Sequence, residues 1–91
     1  MIVGFRHKGL EDLCLTGRTR RIGAGSIRRC VRVLQMLEFA ESPEDLQIPG
    51  MGLHKLLGNP PRWSARITAN YRISFGWSGE DAVDVDFEDY H

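Results

Sequence analysis

The sequence predicts an α+β fold with two N-terminal helices packed on one face of a small antiparallel sheet. Three observations predict it. Apolar residues recur at helical spacing through the first forty or so positions. Short runs rich in β-branched and aromatic residues, separated by Gly, Pro and Asn, fill the remainder. And 91 residues support one modest core, so a single domain over 1–91 is expected.

Taking the elements in order, Ile2 to Arg6 alternates apolar and polar and reads as a short strand. Lys8 to Thr16 places Leu10, Leu13 and Cys14 on one side, and Gly17 stands where a helix stops. Arg18 to Gly25 is a polar loop. Ser26 is a candidate cap for the next helix, which also has the option of starting a turn earlier. Ile27, Cys30, Val31, Leu34, Met36 and Leu37 then follow one apolar stripe, predicting a helix over about 26–40. Ser42-Pro43-Glu44-Asp45 is a helix start with room for a turn or two before Pro49-Gly50. Leu53–Leu57, Trp63–Thr68 and Tyr71–Trp77 are predicted strands, and Ser78-Gly79 is a hairpin turn. Ala82, Val83, Val85 and Phe87 alternate with Asp84 and Asp86 as a last strand. One face of the sheet carries the helices and the other is expected to be open.

Composition excludes several classes. Hydrophobic residues are 42% and charged residues 26% of the chain, which is neither disordered nor collagen-like. No apolar run approaches the ~18 residues of a membrane span, so no membrane association is expected. The N-terminus lacks a basic stretch followed by an apolar one, so a cytoplasmic location is expected. Cys14 and Cys30 read as reduced, mostly buried thiols on apolar helix faces, unsuited to nucleophilic work. Net charge is zero, yet the chain runs basic to residue 37, acidic over 38–50, basic over 51–75 and acidic after that. A polyanion senses local field within ~8–10 Å, so a basic face is compatible with neutrality. Arg18, Arg20, Arg21, Arg28, Arg29 and Arg32 read equally as a solvated face or as a contact face for RNA or a protein partner.

Chemistry concentrates in the C-terminal half. His7, His54, His91, Cys14 and Cys30 lack metal-ligand spacing, so no metal and no cofactor are expected. Two histidines, several arginines and a tyrosine lie on strands that a meander brings together. That inventory suits metal-free cleavage of RNA by its own 2′-OH. The reaction needs a base, an acid and cations for the phosphorane. Histidine titrates near neutrality, and arginine's fork matches phosphate oxygens. Met36, Phe39 and Trp77 read as core or rim.

These residues also form a family pattern. Ile2-Val3-Gly4-Phe5-Arg6-His7-Lys8-Gly9-Leu10, Ser42-Pro43-Glu44-Asp45-Leu46, Leu53-His54-Lys55-Leu56, the stretch Trp63 to Phe75 and the terminal Asp84 to His91 resemble, in order, the HigB-type toxins of the RelE-like bacterial toxin–antitoxin ribonucleases. The resemblance implies a microbial ribonuclease fold and cleavage of mRNA in the ribosomal A site, with contacts to ribosomal RNA. It also implies inhibition by a helix-turn-helix antitoxin, through which alone operator DNA is bound. Carried over by position, it implies catalytic roles for His54, Arg72, Asp89, Tyr90 and His91. Asn70 and Trp63 match positions that hold the sheet and hairpin. Many relatives carry a lysine where this chain has Leu57. Positions 55 and 57 share a face of a strand, so Lys55 is expected to reach the same phosphate, with Arg66 as a second phosphate-binding group. A rival reading is a catalytically weak module that pairs with an antitoxin and modulates operator binding.

Overall fold

The computed structural model describes residues 1–89. The helices are α1 (Lys8–Thr16) and α2 (Ala24–Phe39), followed by a 3₁₀ turn at Pro43–Leu46. Four strands follow: β1 (His54–Leu56), β2 (Arg62–Arg66), β3 (Tyr71–Ser78) and β4 (Asp81–Asp89). They form an antiparallel meander in the order β1-β2-β3-β4.

Each helix end has a local cause. His7 caps α1 with its ring: Nδ1 accepts from the Leu10 N–H at 3.2 Å. A Cβ on Gly9 would lie 2.8 Å from both this ring and the Arg21 Cβ, so only glycine fits beneath the cap. Gly17 closes α1 in the left-handed conformation at φ 77°, donating to the Leu13 carbonyl at 2.9 Å. Helix α2 begins at Ala24, earlier than Ser26, with Gly23 as the capping residue; the Ser26 N–H donates to the Gly23 carbonyl within the first turn. At the 3₁₀ turn the Asp45 carboxylate accepts from the Glu41 N–H at 2.8 Å and the Ser42 N–H at 3.3 Å. The Glu41 bond first, then that from Ser42, holds its pKa below the ordinary carboxylate value.

Both helices bury their apolar stripes against one face of the sheet. Leu10, Cys30, Val33 and Leu37 meet Ala65, Ile73, Phe75, Ala82 and Val85, all fully buried. Leu46 and Met51 close the core from the connecting segment.

Three expectations are corrected. Ile2–Arg6 is no strand of the sheet. It makes two isolated parallel bridges to β4, Ile2 with Ala82 and Phe5 with Val85. Strand β4 does not alternate simply either. The β3–β4 register shifts between Ser74 and Gly76, and Asp84 there has φ 50°. This bulge puts one extra residue on β4, so the buried positions are Ala82 and Val85, three apart. The same interruption limits the N-terminal segment to bridges. Finally, Cys14 is exposed, whereas Cys30 is buried, as expected. Burial pushes the Cys30 thiol up to about 12; Cys14 is raised less, by partial burial and then by Glu38. Alkylation of the native protein at mildly alkaline pH is expected to modify Cys14 alone, with both thiols reacting in denaturant. Mass spectrometry of the labelled chain checks this.

Candidate active site on the sheet face opposite the helices

The register decides which side chains share the face away from the helices. His54 pairs with Ser64, Ser64 with Ser74, and Ser74 with Asp86. One row further along, Arg66 pairs with Arg72 and Arg72 with Glu88. Directly opposed residues lie ~4.5–5.5 Å apart at Cβ and diagonal ones ~7–8 Å. The sheet therefore brings His54, Arg66 and Arg72 into one patch, with His54 diagonal to Arg66.

Arg72 is anchored. Its Nε donates to Glu88 Oε2 at 3.1 Å, and the two side chains are 26% and 31% exposed. Arg66 is exposed and His54 is exposed. The face is less open than expected. Ser64 and Ser74 are 1% and 0% exposed. Arg62 lies over the serine row: its Nη2 donates to Ser74 Oγ at 3.1 Å and to the Asp84 carbonyl at 2.8 Å. Burial, then repulsion from Arg6, lowers its pKa from the ordinary arginine value. A Cβ on Gly76 would stand 3.6 Å from Arg62 Nη1, an ordinary contact, and a tighter 3.1 Å from a Val83 methyl. Ser64 Oγ, between His54 and Ser74, is buried with no hydrogen-bond partner.

Two expected members stand elsewhere. Lys55 pairs with Trp63, one residue out of phase with His54, and its ammonium sits 5.7 Å from the Trp63 ring centre. Strand parity thus turns it from the arginines, contrary to the expectation that it shares their face. Leu57 lies beyond β1 and is fully exposed. Asp89 pairs with Tyr71, in phase with Phe87 and out of phase with Glu88. Tyr71 stacks on Phe87 at 5.0 Å, and the His7 ring meets Phe87 edge-on at 5.5 Å. Tyr90 and His91 lie outside the described residues.

Sequence reasoning missed Glu88, Arg62 and Ser64. Glu88 had a usable signal, since acids at alternate positions of one strand face a neighbour's cations. Arg62 had none, because its seat depends on the Asp84 carbonyl at the bulge. Among the described residues no group of three His, Cys, Asp or Glu side chains is placed to hold a metal ion. Among them no helix is long and apolar enough to cross a membrane.

This arrangement offers an imidazole and two forked cations on one surface, the set that polarises a phosphodiester. Comparison with known proteins points the same way. The chain is 36% identical over 92 residues to "Endoribonuclease HigB" of Proteus vulgaris, covering 100% of both chains. It is 34% identical over 80 residues to "Toxin HigB-1" of Vibrio cholerae, covering 85% of this chain and 84% of that one. Residues 3–91 match the sequence profile of the HigB-like toxins, described as the RelE-like toxin of the type II toxin-antitoxin system HigB. With the profile spanning nearly the whole chain, this protein belongs to the HigB-like toxin family.

Proposed function

We propose that this toxin is an endoribonuclease that cuts mRNA in the ribosomal A site without a metal ion, using the patch of His54, Arg66 and Arg72. The observation that carries the reading is the register that sets these three side chains on one sheet face. The RNA's own 2′-oxygen attacks the adjacent phosphorus. The O2′–P bond forms as the P–O5′ bond breaks, leaving a cyclic phosphate and a 5′-hydroxyl. One of His54 and His91 takes the 2′ proton, and the other returns a proton to the departing 5′-oxygen. Arg72, with Arg66, neutralises the phosphorane oxygens. Asp89, whose parity on β4 turns it from His54, orients the imidazole of His91, and Tyr90 stacks on a base or carries a proton. Ribosomal RNA meets the basic surface, and a helix-turn-helix antitoxin restrains the toxin and links it to operator DNA.

Two observations favour a second reading. Glu88 already pairs with Arg72, and Leu57 replaces the lysine of many relatives, as in a weakly catalytic module that mainly pairs with its antitoxin. The test compares a labelled mRNA free in solution with the same mRNA on programmed ribosomes. Cleavage confined to the ribosome-bound message, by protein previously stripped with a chelator, is the expected result. Cutting of free RNA at the same rate would overturn ribosome dependence. No cutting in either case would leave the antitoxin-pairing reading.

A further inference from the structure

Arg29 belongs to a run of helix arginines, but its surroundings differ from those of its neighbours. Arg28 and Arg32 are exposed, whereas Arg29 is half-buried, one helical turn before the fully buried Val33. Its guanidinium leaves α2 and crosses to the far end of the sheet. Nε donates to the Arg66 carbonyl at 3.0 Å. Nη2 donates to the Gly50 carbonyl. These two acceptors lie on different segments: the end of β2, and the loop that delivers the chain to His54.

The two segments are also in direct contact. The Arg66 N–H donates to the Met51 carbonyl at 3.1 Å. Gly52, at φ 62°, passes so near that a Cβ would lie 3.2 Å from the Arg66 Cβ. The loop is anchored by the buried Met51 side chain and by its backbone bond to Arg66, and the Arg29 fork adds a second tie between the same two segments. A forked guanidinium can serve two carbonyls on separate elements at once; an ammonium on a shorter reach cannot hold both in the same geometry.

We propose that Arg29 is a positioning residue of the active site: by tying the Arg66 and Gly50 carbonyls together it holds Arg66 and the His54-bearing segment in register across the phosphate site. Arg29 does not touch the substrate. It acts through the spacing of two groups that do, and a displacement of about 1 Å between catalytic groups costs up to ~10²-fold in rate. The inference rests on the reading of the His54–Arg66–Arg72 face as the RNA face.

The test measures cleavage of a labelled mRNA on programmed ribosomes by Arg29→Ala, Arg29→Lys, Arg66→Ala and the Arg29→Ala/Arg66→Ala double variant, each with a thermal melt. Arg29→Ala is expected to slow cleavage at saturating ribosomes by ~10-fold to 100-fold. Its half-saturating ribosome concentration is expected to change by no more than about twofold, since no side chain proposed to bind RNA is removed. Arg29→Lys recovers part of the rate. The double variant is slower than Arg66→Ala by a smaller factor than Arg29→Ala costs alone, because only the part of the clamp's effect that runs through the Arg66 side chain is lost with it. Wild-type cleavage by Arg29→Ala, or independent multiplicative losses in the double variant, with Arg66→Ala itself slow, overturns the positioning role and leaves the site reading intact. Wild-type cleavage by Arg66→Ala overturns the site reading and the inference together. Should Arg29→Ala fail to fold, Arg29→Lys decides: a folded lysine variant with reduced rate supports the clamp, and one with wild-type rate overturns it.

Discussion

Arg72→Ala lowers the rate of mRNA cleavage on ribosomes by ~10²–10³-fold, as removal of one preorganised donor to a developing oxyanion does. The fold survives. Arg72 lies on the face away from the helices, and the core beneath it is formed by Ile73 and Phe75. The ion pair with Glu88 that it forms among the described residues is worth about 1 kcal/mol or less, being partly solvated. For a domain of this size its loss lowers Tm by under ~8 °C. Arg72→Lys restores charge without the fork and recovers only part of the rate. Cleavage kinetics and a thermal melt on the same preparations check both halves. A wild-type rate in the alanine variant, or a collapse of Tm, would make Arg72 a structural residue.

Deleting Tyr90 and His91 abolishes toxicity while the fold persists. A well-placed general acid or base contributes ~10²–10⁴ in rate, and this deletion takes away one of the two proposed proton carriers together with an aromatic that grips a base. The strand that precedes them has anchors of its own among the described residues. Ala82 and Val85 are fully buried, Phe87 is stacked against Tyr71, and pairing with β3 continues to Asp89. Growth arrest on induction, ribosome-bound mRNA cleavage and thermal unfolding are the three readouts. Undiminished arrest would place the chemistry on His54 and Arg72 alone. An unfolded truncation would show that the last two residues serve the sheet.

How far the sequence alone reaches depends on the range of the physics involved. Local rules sufficed for the helices: the stripe of Leu10 and Leu13, the stop at Gly17 and the period of Cys30, Leu34 and Leu37 concern residues a turn apart. The order of strands followed from turn residues, and the meander from their short spacing. Of the candidate site, His54, Arg66 and Arg72 were legible as residue types suited to phosphate chemistry. Their meeting on one face depends on the pairing of three strands.

Tertiary structure decided what no local rule carries. The bulge at Asp84 needs a positive φ at a non-glycine residue, which an alternating pattern does not announce. It reset the burial of β4 and kept Ile2–Arg6 from becoming a fifth strand. Lys55 shared a parity with position 57, but β1 pairs so that this parity faces Trp63. Glu88 found Arg72 across the β3–β4 register. Arg29, one of a run of similar arginines, was singled out only by two carbonyls 21 and 37 positions away. Hydrophobic periodicity is a one-dimensional signal written over neighbouring residues, whereas the seats of these charged groups depend on distances between segments that only the folded chain brings together.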